Sequence, residues 1–207
     1  MRQYIFYDTL KRFIDVVSVF LALLILSPLF IFLIILTSLD GGPPFFKQVR
    51  LGHQGRIFTM WKFRSMVVDA ENHLKIMLEN DENLRDDWTV WRKLKIDPRT
   101  TILGKWLRRL SLDELPQLWN VLKGDMSLVG PRPILPSEVE LWGSNLLDYQ
   151  SVRPGITGLW QVSGRSKLTY EQRISLDLEY IHHRSWWLDT LIMLKTIRVV
   201  FLSIGAH

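Results

Sequence analysis

The sequence contains no cysteine, which excludes a disulfide framework and any thiolate metal site. It also lacks a G-x-G-x-x-G turn, a Walker loop, an internal repeat and a low-complexity tract, so the usual nucleotide-binding fingerprints and repeat folds are excluded. Charge is missing altogether from Val16 to Leu36, VVSVFLALLILSPLFIFLIIL. That run is apolar on every side and about as long as a bilayer-spanning helix, which argues against a buried helix of a soluble protein. It is too long for the apolar part of a cleaved signal, and no small-residue cleavage site follows it.

What is present is a chain of 207 residues, enough for one domain plus a membrane element. Lys and Arg number 26 against 21 Asp and Glu, a net charge of +5, so an anionic partner is expected: nucleic acid, nucleotide or phospholipid headgroup. The positive charge is spread along the chain without a nucleic-acid-binding motif, which disfavours nucleic acid. Nine tryptophans suit a membrane–water interface, although soluble cores use tryptophan too.

Ser27-Pro28 falls near the middle of the apolar run. Proline removes one backbone donor and crowds the preceding turn, so a bend is predicted there, with the Ser27 hydroxyl available to a freed carbonyl. Arg2, Lys11 and Arg12 precede the run, and Lys47, Arg50, Arg56, Lys62 and Arg64 follow it. Basic residues favour the cytoplasmic side. A helix that enters, bends and leaves by one face fits both basic flanks; a kinked single span is the alternative. Asp15, at the mouth of the run, is expected at headgroup level.

After the turn residues Asp40 to Pro44, the stretches Phe45–Arg50 and Arg56–Lys62 read as a β-hairpin split by Gly52 and Gly55. Its basic residues, Lys47, Arg50, Arg56, Lys62 and Arg64, could line an anion site or rest on lipid headgroups, and headgroup contact is expected for most of them. Asp69 to Leu94 is polar and helix-prone, and Pro98 breaks it. ILGKWLRRLS is a basic amphipathic stretch, with Ile102, Leu103, Trp106, Leu107 and Leu110 on one side and Lys105, Arg108 and Arg109 on the other. It suits a membrane surface or a domain core. Tyr170 to His182 reads as a helix, and Ser185 to Gly205 as an apolar helix carrying Asp189, Lys195 and Arg198, interfacial or packed on the domain. The adjacent His182 and His183 point different ways on a helix and are expected at the surface, not on a metal.

SLDELPQLWNVLKGDMSLVGPRP, from Ser111 to Pro133, is the candidate reacting centre. Ser111-x-x-Glu114 has the spacing of a capping box, and Leu115, Leu118, Trp119 and Leu122 form a helical stripe ended by Gly124. Asp113 is harder to assign to capping. It stands at a predicted helix start among Arg108, Arg109 and Arg132, which would keep a carboxylate ionised and can also hold phosphate. Adjacent acids can divide labour, one attacking phosphorus and the other holding a divalent cation. Capping and catalysis both remain open on spacing alone. RPGITGLWQVSGRSKLTYEQR is a turn-rich segment whose Gln161, Arg165 and Arg173 suit a nucleotide or sugar, or simply structural turns.

Five stretches together resemble the bacterial sugar transferase family, the monotopic polyprenyl-phosphate hexose-1-phosphate transferases: KRFIDVVSVF, FFKQVRLGHQGRIFTMWKFRSM, DPRTTILGKWLRRLSLDELPQLWNVLKGDMSLVGPRP, RPGITGLWQVSGR, and the tail LDLEYI…SWWLD…LIMLKT. The resemblance implies an α/β, mostly helical, membrane-associated fold. Residues 1–39 would form a re-entrant helix–break–helix turning at Ser27 and Pro28, and residues 40–207 a catalytic domain with a small β-hairpin and amphipathic interfacial helices. It implies Asp113 as the nucleophile that takes sugar phosphate from a UDP-sugar, releasing UMP. It implies Glu114 as a ligand of Mg²⁺, and undecaprenyl phosphate as the acceptor. Arg108, Arg132 and Lys62 would hold phosphate, with Gln161 and Arg165 near the nucleotide or sugar. The setting implied is the cytoplasmic face of the bacterial inner membrane, at the first membrane step of exopolysaccharide, capsule or O-antigen assembly. WQVSGR resembles members that use UDP-galactose or UDP-glucose, with N-acetylated sugars the alternative. A membrane hydrolase that passes the same aspartyl intermediate to water is the rival activity. Monomer and homo-oligomer are both open. The sequence lacks the multi-span N-terminal region of many larger relatives and reads as either a minimal member or a fragment.

Overall fold

The structure is a computed structural model that describes residues 2–91, 94, 97–164 and 168–201. Helix α1 spans Arg2–Ser38 and contains Pro28. Where a helix, a break and a second helix were predicted, one helix runs through. The Ser27 Oγ donates to the Leu24 carbonyl at 2.9 Å. That carbonyl lies four residues before Pro28, so it is the one whose amide partner the pyrrolidine ring removes. The serine hydroxyl thus supplies the lost donor, as its position beside the proline predicted. Phe6–Ser38 is long and apolar enough to cross a membrane by length and composition.

One face of α1 lies on the rest of the chain along both of its halves. Val19 packs with Phe58, Met60, Leu118, Val121 and Met126, while Leu33 packs with Phe63 and Leu107. Phe20, Leu24, Ile25, Ile31 and Phe32 on the remaining surface are exposed. Polar ties secure each end. Near the start, the Lys11 ammonium meets Asp189 at 2.6 Å, and Tyr7 donates to the same carboxylate at 2.7 Å. Arg12 donates to the carbonyls of Val121 and Leu122. Near the end, Arg64 donates to the Thr37 carbonyl and pairs with Asp40. Asp15 is buried and accepts from the Ser127 hydroxyl at 2.6 Å and the Leu128 amide. It therefore belongs to the domain interior and not to the headgroup level expected for it, because two donors from the domain replace its water.

The predicted hairpin is present: β1 (Phe45–Leu51) and β2 (Ile57–Phe63) pair antiparallel from Phe45 opposite Phe63 to Leu51 opposite Ile57. Gln54 and Gly55 take left-handed backbone in its turn. Two helices, α2 (Ala70–Asn80) and α3 (Glu82–Trp91), fill the polar stretch, followed by α4 (Ile102–Arg109) and α5 (Gln117–Lys123), which Gly124 ends at φ 91°. A parallel strand pair was not predicted: β3 (Ser127–Val129) aligns Ser127 with Gly155 and Val129 with Thr157 of β4 (Gly155–Thr157), with short helices α6 (Val139–Trp142) and α7 (Leu146–Gln150) between them. Close backbone approach requires glycine here, since a Cβ on Gly155 would stand 2.1 Å from the Gly130 amide nitrogen. The chain continues as α8 (Leu159–Ser163), α9 (Tyr170–His183) and α10 (Trp186–Phe201). Val129, Leu159, Tyr180, Ile181 and Ile192 pack these last elements into one core. The architecture is mostly helical with two small sheets, as the mostly helical α/β expectation had it.

Candidate active site

The site begins where α4 meets the end of β2. Thr101 caps α4 by accepting from the Gly104 amide. A Cβ on Gly104 would come within 1.9 Å of the Ser65 carbonyl oxygen, so only glycine lets the helix lie this close to the strand. The contact sets Arg108, whose Nε donates to Ser65 Oγ at 2.8 Å.

Ser111 then turns the chain through left-handed backbone at φ 54°. A single 3₁₀ turn, Leu112–Glu114, carries the two acids, and α5 starts only after Pro116. The expected capping box is absent. With Ser111 left-handed, its hydroxyl caps nothing, and Glu114 accepts from Lys62 Nζ at 2.8 Å. The predicted helical stripe is also corrected: Trp119 is exposed, while Asn120 is fully buried. Asn120 accepts from the Trp61 amide and donates to the Thr59 carbonyl, so its side chain ties α5 to β2. That tie places Lys62 against the acid pair. Sequence reasoning passed over Asn120; its signal was an amide side chain between Leu118 and Val121 on a helix with an apolar face.

Asp113 is 8% exposed, and Glu114 is half-buried. Burial pushes the Asp113 carboxyl above the usual range. Lys62 pulls it down, Glu114 pushes it up, and Arg108 pulls it down again. The sequence expectation that Arg108, Arg109 and Arg132 keep this acid ionised is corrected twice: Lys62 and Arg108 are the cations that act on it, and burial outweighs them. An acid held this way is a strong nucleophile once ionised.

Lys62 and Arg108 thus stand with Asp113 and Glu114. Arg132 takes a separate position, half-buried in the Gly-Pro-Arg-Pro loop with its guanidinium 5.7 Å from the Trp160 ring centre. Gln161 is half-buried and donates to the Ile156 carbonyl at 3.0 Å, bracing the β4–α8 turn. Arg165 lies outside the described residues. His182 and His183 are exposed, as expected. Two hairpin arginines depart from the headgroup reading. Arg64 is buried against Asp40, and Arg50 is buried with Nη1 donating to the Pro133 carbonyl at 2.9 Å. Lys47 and Arg56 remain at the surface, Lys47 over the Trp61 ring.

Among the described residues no three His, Asp or Glu side chains cluster as a metal cage. Mg²⁺ seldom uses such a cage; one or two carboxylates plus substrate phosphates serve it. Adjacent Asp113 and Glu114 are a hard-oxygen donor set of that kind, so these residues fit the ion. Beside them, α4 and α5 expose Ile102, Trp106, Leu110 and Trp119 alongside Lys105 and Arg109, an aromatic and basic surface suited to a headgroup layer. Leu103 and Leu107 of the predicted stripe turn inward instead, Leu107 fully buried.

A buried acid beside two cations and a second carboxylate has the chemistry that a phosphate-bearing substrate requires. The chain belongs to the bacterial sugar transferase family, matching it over residues 6–203. It is 46% identical over 198 residues to the undecaprenyl-phosphate galactose phosphotransferase of Salmonella typhimurium, covering 96% of this chain and 42% of that protein. It is 43% identical to the exopolysaccharide production protein ExoY of Rhizobium meliloti, covering 95% and 88%. A UDP-glucose:undecaprenyl-phosphate glucose-1-phosphate transferase of Klebsiella pneumoniae is 41% identical, with 95% and 41% covered. The chain therefore spans about two-fifths of the length of the Salmonella and Klebsiella relatives.

Proposed function

We propose that this chain transfers a hexose-1-phosphate from a UDP-sugar, galactose or glucose, to undecaprenyl phosphate, giving undecaprenyl-diphospho-sugar and UMP. The observation that carries the reading is Asp113, buried beside Lys62, Glu114 and Arg108 on a domain that holds a long apolar helix. The activities for which the Salmonella and Klebsiella relatives are named support it.

An ionised Asp113 oxygen attacks the sugar-bearing phosphorus. The bond from that phosphorus to the bridging oxygen breaks, and the oxygen leaves with its electron pair as part of UMP. Undecaprenyl phosphate then attacks the same phosphorus, the aspartyl–phosphorus bond breaks, and the carboxylate is regenerated. Neither step needs a proton donor. Splitting the transfer lets a soluble donor and a lipid acceptor use one small site in turn. Lys62 and Arg108 orient the transferred phosphoryl group and offset its charge. Bound Mg²⁺ would be held by Glu114 and would screen the negative charge of the diphosphate.

In this reading α1 enters the bilayer and leaves by the same, cytoplasmic face, with Ser27-Pro28 as its turning point. The ties at both ends support it. A straight 33-residue apolar helix is about 50 Å long, against a hydrocarbon core of about 30 Å, yet Lys11, Arg12 and Asp15 at one end and Thr37 and Asp40 at the other all bind polar groups of one domain. The function is tested by UMP release across a panel of UDP-sugars, with and without undecaprenyl phosphate. A transferase stalls after one turnover without acceptor. Sustained sugar-phosphate release would identify a hydrolase instead.

A further inference from the structure

We propose that the cavity between the start of α1 and the segments carrying His53 and Arg153 is a phosphate site, built around Arg12 and Arg153 and suited to the headgroup of an anionic phospholipid. It shares no lining residue with the Lys62–Arg108 pair beside Asp113, and it stands whether or not the transferase reading does.

The cavity measures about 130 Å³, room for several waters and so for one phosphate group. Tyr7, Asp8, Lys11, Arg12 and Asp15 line it from α1, and His53, Arg153 and Arg184 from the domain. Most of its charges already have partners. Lys11 meets Asp189 at 2.6 Å, Arg184 lies 3.5 Å from Asp8, and Asp15 accepts from Ser127 and Leu128. Arg12 and Arg153 differ, since among the described residues neither forms an ion pair with a carboxylate. Both donate instead to carbonyls at the end of α5: Arg12 to Val121 and Leu122, and Arg153 Nε to Gly124 at 3.0 Å. Gly124 brings the two together, because a Cβ built on it would lie 3.4 Å from Arg12 Nη2. Arg153 is also the strongest charge acting on Arg12 and on His53.

Holding the carbonyls of α5 accounts for these guanidinium groups only in part. A guanidinium carries donors on all three nitrogens, and Arg153 uses only the one on Nε among the described residues. Two guanidinium groups side by side, with donors to spare and no paired carboxylate, match the oxygens of a phosphate. Position makes lipid its source. The exposed Phe6, Leu10, Phe13 and Ile14 of the same turns mark the beginning of the apolar segment, and a membrane presents its phosphates at that level. A phosphate bridging Arg12 and Arg153 would fasten the membrane helix to the domain.

The test uses the delipidated full chain in a maltoside detergent, which has no phosphate, with Lys62→Gln to weaken the reacting centre's own hold on the anion. Inorganic phosphate, phosphatidylglycerol and phosphate-free diacylglycerol are titrated by calorimetry. The first two should bind and diacylglycerol should not. Adding Arg153→Gln should weaken both by about tenfold or more, whereas Arg56→Gln, exposed and outside the cavity, should leave them unchanged. Should Arg153→Gln lose its thermal transition, Arg153→Lys, which keeps the charge but not the fork, is read in its place and should still weaken both. Phosphatidylglycerol binding tighter than inorganic phosphate makes the lipid headgroup the occupant; equal affinities keep the site and make its occupant a free phosphate. Binding of neither probe, affinities untouched by the Arg153 variants, or equal loss with Arg56→Gln overturns the site. UMP release by the wild type tests the transferase reading separately.

Discussion

Lys62 Nζ stands 2.8 Å from Glu114 Oε1, while the more deeply buried Asp113 beside it forms no ion pair among the described residues. The ammonium is fixed by the half-exposed acid and acts on the buried one through space. Lys62 therefore links the protonation of Asp113 to the charge on Glu114.

Asp113→Asn is expected to lower UMP release by at least about three orders of magnitude, as removal of a covalent nucleophile does. The same variant should melt higher than the wild type at neutral pH. Burial raises the folded-state pKa of Asp113, so the folded chain binds this proton more tightly than the unfolded one, and stability is lost as pH rises from the ordinary aspartate value through the raised one. The Tm advantage of the asparagine variant should shrink as pH falls through that window. Thermal unfolding against pH measures it, and an advantage that grows on acidification contradicts the assignment.

Lys62→Met removes the largest influence that lowers Asp113. In the proposed mechanism activity requires the ionised acid and so rises with pH through its pKa. In the variant, that rise in kcat/KM should move to higher pH, with a roughly 10- to 100-fold loss at neutral pH. A profile that keeps its midpoint while dropping uniformly would assign Lys62 to phosphate binding alone.

Gly104→Ala forces a Cβ into the Ser65 carbonyl. It should separate α4 from the end of β2, cost about 1–3 kcal/mol or more, and release Arg108 from Ser65. Gly143→Ala is the control: its Cβ meets nothing within 4 Å, and only its backbone at φ 47°, ψ −126° opposes the change, at about 1–3 kcal/mol. Loss of activity with Gly104→Ala and retention with Gly143→Ala is the expected pair of results.

Asp189→Ala strands Lys11, Tyr7 and Tyr180, all bonded to that carboxylate. Removing one partner of a buried ion pair costs about 3–5 kcal/mol, more than the loss of exposed Asp40 opposite Arg64. Denaturant unfolding of the two alanine variants in detergent compares them.

The same-face arrangement of α1 is testable because the native chain has no cysteine to remove. Phe6→Cys and Leu39→Cys place exposed thiols at either end of the apolar segment. Both should react with an impermeant maleimide in vesicles whose cytoplasmic side faces out, and neither in vesicles of opposite orientation. Reaction of one from each side would establish a crossing helix.

Several of these features were legible in the sequence because they are local. Ser27 next to Pro28 announces both the missing amide and its substitute donor, and the hairpin is written in its alternating residues and glycines. The Asp113–Glu114 turn was located but misjudged, since capping-box spacing cannot reveal that Ser111 is left-handed and that Glu114 turns to Lys62 from another element. Arg50 and Arg64 looked like headgroup contacts because their burial depends on the Gly-Pro-Arg-Pro loop and on the end of α1. The β3–β4 pair escaped notice since three-residue strands carry too little periodicity to register.

The bonds that secure the first helix reach far along the chain: Asp15 to Ser127 spans 112 positions, Lys11 to Asp189 spans 178, and Tyr7 to Asp189 spans 182. During synthesis, the segment that emerges first is therefore among the last to be fastened. It emerges while its tyrosine, lysine and aspartate still await partners not yet made, and the final latch closes only when α10 arrives. Closure of the fold is thus ordered in time by the spacing of three side chains from their counterparts.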